Sequence, residues 1–266
     1  MYREVSRCLR LIGRYFLLNL SAAIEYRASF LLQTFGMAIN NATFIFFWWI
    51  AFDKVGGTIG GYGFTDVMFI WALASSSFGL AMVVFGNAPA LARIIYSGEL
   101  DTYLLQPRPV LVNVIASRTS VSAWGDLAYG IVLLALTQPQ SWSLWLLFGL
   151  CVITGALLTT AIQVTAGALA FFMGNASMLQ QMALEFTINF SIYPESIFHG
   201  AVRLIIHTLL PAAFIVHVPL TLVRSFEPRL LLILLVVTAL YCAFSFWFFG
   251  RGLRRYESGN LIQTRI

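Results

Sequence analysis

Charged residues are scarce in this sequence: of its 266 residues, 16 are basic and 11 are acidic, or 10% of the chain. Soluble domains carry about a quarter. A chain with 59% apolar residues cannot cover a globule with polar side chains, so a soluble enzyme is excluded. A disordered chain is excluded as well, because 15% of the residues are aromatic. The composition leaves a polytopic membrane protein.

Several signatures of chemistry are also missing. Lys54 is the single lysine, and no GxxxxGK[ST] segment is present, so the chain has no phosphate-binding loop of its own. HExxH and GxSxG are absent, which removes two common hydrolase signatures. The three cysteines lack CxxC spacing and the three histidines are not spaced as neighbours on a helix. The sequence predicts no catalytic residue and no metal site.

Long uncharged stretches are the strongest positive signal. They lie between Arg27 and Asp53, Asp66 and Arg93, Asp126 and Glu185, and Arg229 and Arg251. A helix needs about 20 apolar residues to cross the hydrocarbon layer. The third stretch is long enough for two crossings, separated by a polar, proline-containing turn at 137–141. The alternating segments of a membrane barrel are absent, so the predicted fold class is an all-α polytopic membrane protein.

Seven segments are candidate crossings: 28–52, 67–88, 111–137, 143–173, 178–198, 204–223 and 229–250. Both chain ends are rich in arginine, so the positive-inside rule predicts two cytoplasmic termini and an even number of crossings. The weakest candidate is 204–223, because Pro211 and Pro219 interrupt it. We therefore predict six transmembrane helices, with an outer re-entrant helical hairpin (199–226) between the fifth and the sixth.

The distribution of basic residues agrees with this orientation. Twelve lie on the predicted inner side: five near the N-terminus, three in the second loop and four in the tail 251–266. Four lie on the predicted outer side. The net charge of +5 is thus explained by membrane orientation, and no nucleic-acid partner is predicted.

The first segment, 1–27, predicts an amphipathic interface helix on the cytosolic side. One face is basic, formed by Arg3, Arg7, Arg10 and Arg14. Another is apolar, formed by Val5, Leu9, Ile12 and Phe16. Such a helix lies in the headgroup layer and contacts membrane lipids. Two hypotheses stay open: an anchor that only sets orientation, or a helix that also contacts a cytosolic partner.

The loop 90–109, predicted to be cytosolic, has a marked pattern. Arg93 belongs to the end of the second crossing or to a new short helix, which Gly98 breaks. Glu99 and Asp101 are suited to a new helical turn, which the prolines at 107 and 109 end. This predicts a short helix that exposes Tyr103, Leu104 and Leu105 to the cytosol. Exposed apolar residues usually mark a docking surface; the alternative is packing against the chain's own helices.

The pattern Gly98, Asp101, Leu104 and Pro107 resembles the G-x-x-D-x-x-L-x-x-P coupling loop of ABC transporter permeases of the type-2 exporter class, in a bacterial subfamily. Two other stretches are similar to that subfamily. One is Tyr193, Pro194, Glu195 and Phe198; the other is Gly252, Tyr256, Ser258 and Asn260. The resemblance covers nearly the whole chain, because the interface helix, six spans (28–266) and outer hairpin also match the class.

The resemblance implies a permease subunit of an ATP-driven exporter in the bacterial plasma (inner) membrane. Its partners would be a cytosolic ABC ATPase dimer, which holds ATP and Mg²⁺, and a second permease subunit, identical or a paralogue. The permease would bind no cofactor itself. ATPase coupling would be carried by the 90–109 loop, at Arg93, Gly98, Glu99, Asp101, Tyr103, Leu104, Leu105 and Pro107.

Two acids inside predicted spans need an explanation, because a charge in the bilayer interior should face protein or water. For Asp126, two hypotheses stay open: an ion pair with Arg118, or a position on the substrate pathway. Glu185 is followed by Asn189 on a polar face of the fifth span. Glu185 and Asn189 are candidates for the pathway or for a contact between permease subunits.

The outer hairpin is the candidate outer gate. The gate residues are Pro194 and Glu195, just before the hairpin, and Arg203, Pro211 and Pro219 within it. The alternative is a static plug. For the whole chain, the alternatives are a secondary transporter or channel-like protein without ATPase, and then a membrane-embedded enzyme. The first would show matched interrupted spans in two halves, and the second clustered reactive side chains; the sequence has neither.

Overall fold

The computed structural model describes residues 2–137 and 141–256, with side chains from Ser6 onward. Of these described residues 80% are helical, and none belongs to a β-strand. The predicted all-α class is confirmed. The middle of the predicted turn at 137–141 and the tail from residue 257, including Ser258 and Asn260, lie outside the described residues.

Thirteen α-helices follow one another in the described part of the chain. Their bounds are α1 Tyr2–Glu25, α2 Arg27–Val55, α3 Phe64–Phe85, α4 Leu91–Tyr96, α5 Asp101–Leu104, α6 Val110–Ala116, α7 Ala123–Leu136, α8 Trp142–Ala168, α9 Ala170–Met173, α10 Ser177–Ile192, α11 Ala201–His207, α12 His217–Arg224 and α13 Pro228–Leu253. Single 3₁₀ turns precede α4, α11 and α12.

Among residues 2–137 and 141–256, four helical stretches are long and apolar enough to cross a membrane: α2, α3, α8 with α9, and α13. The count is five if α11 and the segment Ala212–Arg224, which bend by 59° at a short break, form one broken span. By composition this pair is equally a re-entrant loop. Helices α7 and α10 have 14 and 16 residues, fewer than the ~20 of a full crossing. A multi-pass membrane protein is confirmed, and six crossings stay a prediction.

Helix α3 lies at the centre of the bundle. Of its most apolar window, 78% is buried, against 17% for both α2 and α13. It packs closely against α7 because glycines lie at the contact. A Cβ on Gly130 would lie 2.5 Å from the carbonyl oxygen of Ala72, and one on Gly79 would lie 2.6 Å from the backbone nitrogen of Leu127. Small residues allow helix backbones to approach in this way.

The predicted third crossing, 111–137, is not one continuous helix. Residues 117–122 separate α6 from α7. Thr119 Oγ1 donates to the carbonyl oxygen of Val83 at 2.9 Å, and the Ser120 N–H donates to that of Met82 at 3.0 Å. The hydroxyl-rich break is thereby fastened to the last turn of α3. Short polar side chains compete with helical hydrogen bonds, which explains the interruption.

Helix α1 has the basic face that the sequence predicts, since Arg7, Arg10 and Arg14 are exposed. The side chains of Arg3 and Val5 lie outside the described set. The other predicted apolar positions differ among themselves: Leu9 is exposed, and Ile12 and Phe16 are half-buried.

Polar side chains, which the sequence did not indicate, attach α1 to α6. The Tyr15 hydroxyl donates to Asn113 Oδ1, and Asn19 Nδ2 donates to the carbonyl oxygen of Ala116 at 3.2 Å. Asn113 Nδ2 in turn donates to Gln106 Oε1 at 2.7 Å. Helices α1 and α6 and the end of the 90–109 loop therefore form one connected layer.

Candidate functional site

The 90–109 loop contains α4 and α5, which a defined turn connects. Gly98 has φ +79°, a left-handed conformation that suits glycine, and it ends α4. The Leu100 N–H donates to the carbonyl oxygen of Ile94 at 3.2 Å, and the Leu100 side chain is fully buried. It packs in a cluster with Ile94 and Leu111. The loop is thus anchored to the bundle by one buried leucine.

Past that anchor, the loop presents apolar side chains outward. Leu105 is 87% exposed and Leu104 is 40% exposed. The prediction that Tyr103 is exposed to the cytosol is wrong: it is half-buried, with its hydroxyl 3.2 Å from Ser117 Oγ. A hydroxyl group within reach at the polar break explains the difference. Pro107 is exposed beside the leucine pair.

Both loop acids have neighbours within the chain. Glu99 forms a surface ion pair with Arg93. Asp101 lies beside Tyr256, just after α13. Partial burial, and then the Asp101 carboxylate, raise the pKa of Tyr256 to about 12. Tyr256 also packs edge-on against Phe171, with the ring centroids 5.9 Å apart. The loop therefore contacts the end of the last long helix.

Gln180 connects α10 to the start of this loop, and the sequence did not single it out. Its side chain is 1% exposed. Its Oε1 accepts from the Ala92 N–H at 2.9 Å, and its Nε2 donates to the carbonyl oxygens of Ala88 at 2.8 Å and Gln163 at 2.9 Å. One amide thus joins α10, α4 and α8. No sequence signal separates Gln180 from its exposed neighbour Gln181.

A cavity of about 290 Å³, here called the polar cavity, lies between α2, α3, α7, α8 and α10. Its aromatic wall includes Phe44 and Trp71, which stack with ring centroids 4.9 Å apart. Asp126, Asn41 and Asn189 also line it. The structure thus brings two of the predicted pathway residues, Asp126 and Asn189, to one cavity.

Asp126 is 3% exposed, and its partner is Asn41, whose Nδ2 donates to Asp126 Oδ1 at 2.6 Å. The Asn41 carbonyl oxygen accepts from the Tyr129 hydroxyl at 3.2 Å. Asp126 Oδ2 has no hydrogen-bond partner among the described groups. The hypothesis of an ion pair with Arg118 is wrong: Arg118 is exposed, and these two described residues form no salt bridge. Because residues 117–122 are not helical, Arg118 does not lie on the same helix face as Asp126.

Glu185 is not among the residues of the polar cavity. It lies on an exposed face of α10 with Gln181 and Asn189, at spacings of four. Gln181 Nε2 donates to Glu185 Oε1 at 3.1 Å, and Asn189 Nδ2 donates to the Glu185 carbonyl oxygen at 2.8 Å. A carboxylate at membrane depth needs protein or water beside it. As part of the predicted fifth span, this face would be unsuited to lipid.

A small charged cluster connects the outer hairpin to Glu195, which precedes it. Glu195 Oε1 accepts from Arg203 Nε at 3.2 Å and lies 3.6 Å from His207 Nε2. The predicted gate prolines Pro194, Pro211 and Pro219 are buried and are not part of this cluster.

A second ion pair, which the sequence did not indicate, fastens the hairpin to α3. Arg224 Nη2 lies 2.6 Å from Asp66 Oδ2, and Arg224 Nε donates to Asp66 Oδ1 at 3.0 Å. The Arg224 guanidinium also lies 4.9 Å from the centre of the Tyr62 ring. The two residues of the pair are 158 positions apart, so spacing could not reveal it.

Within the described ranges, no group of three or more His, Cys, Asp or Glu side chains is placed to hold a metal ion. In a comparison with known families, the model of a family described as ABC-2 family transporter protein matches residues 38–259. Comparisons with curated proteins and with solved structures found no match. ABC-2 permeases are transport subunits and not a catalytic family. With its apolar helices and this match over most of its length, the chain belongs to the ABC-2 family of transporter proteins.

Proposed function

We propose that this chain is the permease subunit of an ATP-driven exporter. Two permease chains, identical or paralogous, form the substrate pathway above two cytosolic ATPases, which bind ATP and Mg²⁺. ABC-2 permeases generally partner with ATPases, and the missing phosphate-binding loop agrees with a separate nucleotide-binding chain.

In this proposal the chain crosses the bacterial inner membrane six times, with both termini in the cytoplasm. The threefold excess of basic residues on the inner side supports this orientation. The short helices α7 and α10 cross with the help of the segments beside them, α6 and the 3₁₀ turn Glu195–Ile197.

The observation that carries the proposal is the exposed pair Leu104 and Leu105 on an anchored loop. Leu105 is 87% exposed, although Leu100, five residues earlier, is fully buried. An apolar side chain held outward from a fixed turn suits a cleft in a partner. The alternative, a loop folded against its own helices, explains Leu100 and Tyr103 but not Leu105.

A movement of this loop can be passed directly to α10, the proposed fifth span. Gln180 bonds to Ala92, at the start of α4, and belongs to α10. Helix α10 contributes Thr187 and Asn189 to the polar cavity. We therefore infer that ATPase closure moves α10 and reshapes this cavity, which serves as part of the substrate pathway.

Two further parts complete the proposed pathway. The α10 face with Glu185 meets the second permease subunit or the water between subunits, because lipid would leave its charge unpaired. The outer hairpin serves as the gate, and the cluster of Glu195, Arg203 and His207 holds it closed.

Replacing Leu104 and Leu105 by serine tests the proposal. The chain is co-expressed with the ABC ATPase proposed as its partner, and copurification and ATP hydrolysis are measured. We expect the variant to insert and melt like wild type but to lose ATPase association at least tenfold. Leu209→Ser is the matched control, because Leu209 is 68% exposed on the outer hairpin. Wild-type copurification and ATP hydrolysis of the double variant would refute the docking role.

A further inference from the structure

A basic groove of about 1190 Å³ lies between α1 and the 90–109 loop. Arg7, Arg10 and Arg14 line it from α1, and Arg108 lines it from the loop. All four side chains are exposed. Within the described part of the chain, its lining has no acidic side chain and none of these arginines has an ion-pair partner. The described lining of the groove therefore concentrates positive charge without an acidic side chain beside it.

An apolar groove of about 400 Å³ adjoins it, and the two share Cys8 and Pro109 in their walls. Side chains of α6, α8 and α13 form the apolar groove, among them Leu111, Val164 and Phe246. Leu111 and Val164 are buried and form the floor. A basic site thus passes directly into an apolar one.

The position of the two grooves fits a lipid of the inner leaflet. The apolar groove is lined by the second halves of α8 and α13, which lie on the cytosolic side in the proposed orientation. Leu9, on its rim, is 64% exposed. The apolar groove is therefore at the depth of acyl chains and the basic groove at the depth of headgroups.

We propose that an anionic phospholipid binds here, with an acyl chain in the apolar groove and its phosphate among the four arginines. Guanidinium groups bind phosphate oxygens through paired, charge-assisted hydrogen bonds. An anionic headgroup is preferred over a zwitterionic one, because a choline cation would lie among like charges.

This lipid also contacts the loop that carries the exposed leucine pair. Leu104, Gln106 and Pro107 belong to the wall of the basic groove. A bound phosphate thereby connects α1 to the loop across four mutually repelling arginines. The anionic lipid content of the membrane then determines how firmly the loop is held in place.

The test uses the full chain alone, so it does not depend on the proposed ATPase coupling. Native mass spectrometry in detergent measures binding of phosphatidylglycerol and of phosphatidylcholine with the same acyl chains. We expect at least tenfold tighter binding of phosphatidylglycerol to the wild type. The variant Arg10→Gln/Arg14→Gln/Arg108→Gln should lower the affinity for phosphatidylglycerol about tenfold and lower that for phosphatidylcholine less, so that the preference between the two lipids falls.

Three further comparisons complete the test. The double variant Arg27→Gln/Arg118→Gln replaces exposed arginines outside both grooves and should bind lipid like wild type. Cys8→Phe, at the junction of the two grooves, should weaken the binding of both lipids because it narrows the entry to the apolar groove. Millimolar inorganic phosphate should not displace phosphatidylglycerol. Equal binding of the two lipids by wild type, an unchanged triple variant, or displacement by phosphate would overturn the proposal.

Discussion

The Gln180 amide makes three buried hydrogen bonds between elements, so its removal has a calculable cost. Gln180→Met keeps the side-chain length but leaves the Ala92 N–H and the Ala88 carbonyl without this partner. Each such bond contributes roughly 1 kcal/mol net, and an unsatisfied buried group costs ~1–3 kcal/mol. We therefore expect a destabilisation of about 3 kcal/mol.

The assay is thermal unfolding of the purified chain in one detergent at one scan rate. Roughly 3 kcal/mol corresponds to a fall of ~6–12 °C in apparent melting temperature for a chain of this size. Gln181→Met is the matched control, because Gln181 is exposed and hydrogen bonds only to Glu185 in the described set. Equal melting temperatures for the two variants would refute the bridging role.

Two other predictions follow from side-chain geometry and use the same melting assay. Asp126→Leu should destabilise the chain by ~1–3 kcal/mol, because Asn41 loses its acceptor, whereas Asp126→Asn keeps one. Arg118→Gln should leave the melting temperature unchanged. A loss of stability equal to that of Asp126→Leu would instead support an ion pair between Arg118 and Asp126. Gly130→Val should prevent close packing of α7 on α3, and Gly149→Val, with open space around its Cβ, should be tolerated. A wild-type melting temperature for Gly130→Val would contradict the packing argument.

Helix positions follow from the sequence where hydropathy and charge report them directly. The predicted segments 28–52, 67–88, 143–173 and 229–250 coincide within three residues with α2, α3, α8 with α9, and α13. The turn in the 90–109 loop can be predicted equally well from the sequence, because Gly98 and Pro109 have well-known effects on backbone conformation. These features depend on local chemistry alone.

Features that depend on distant pairs could not be predicted. Asn41 and Asp126 are 85 positions apart, and Gln180 and Ala92 are 88 apart. Periodicity identifies the apolar face of a helix but not which polar side chains meet across helices. For Asn41 a signal was present, since two asparagines interrupt the apolar run of α2, but it did not name the partner. The exposure of Glu185 likewise depends on which helices pack around α10.

The shortness of α7 bears on how the protein is made. With 14 residues and a carboxylate in its first turn, α7 is a weak signal for insertion into the bilayer as an isolated segment. Its surroundings supply what it lacks: Asn41 of α2 binds the carboxylate, and α3 packs closely along its glycine-containing side. Helices α2 and α3 are both synthesised before α7. We therefore expect α2 and α3 to remain beside the translocon until α7 emerges, so that the three enter the lipid as a group.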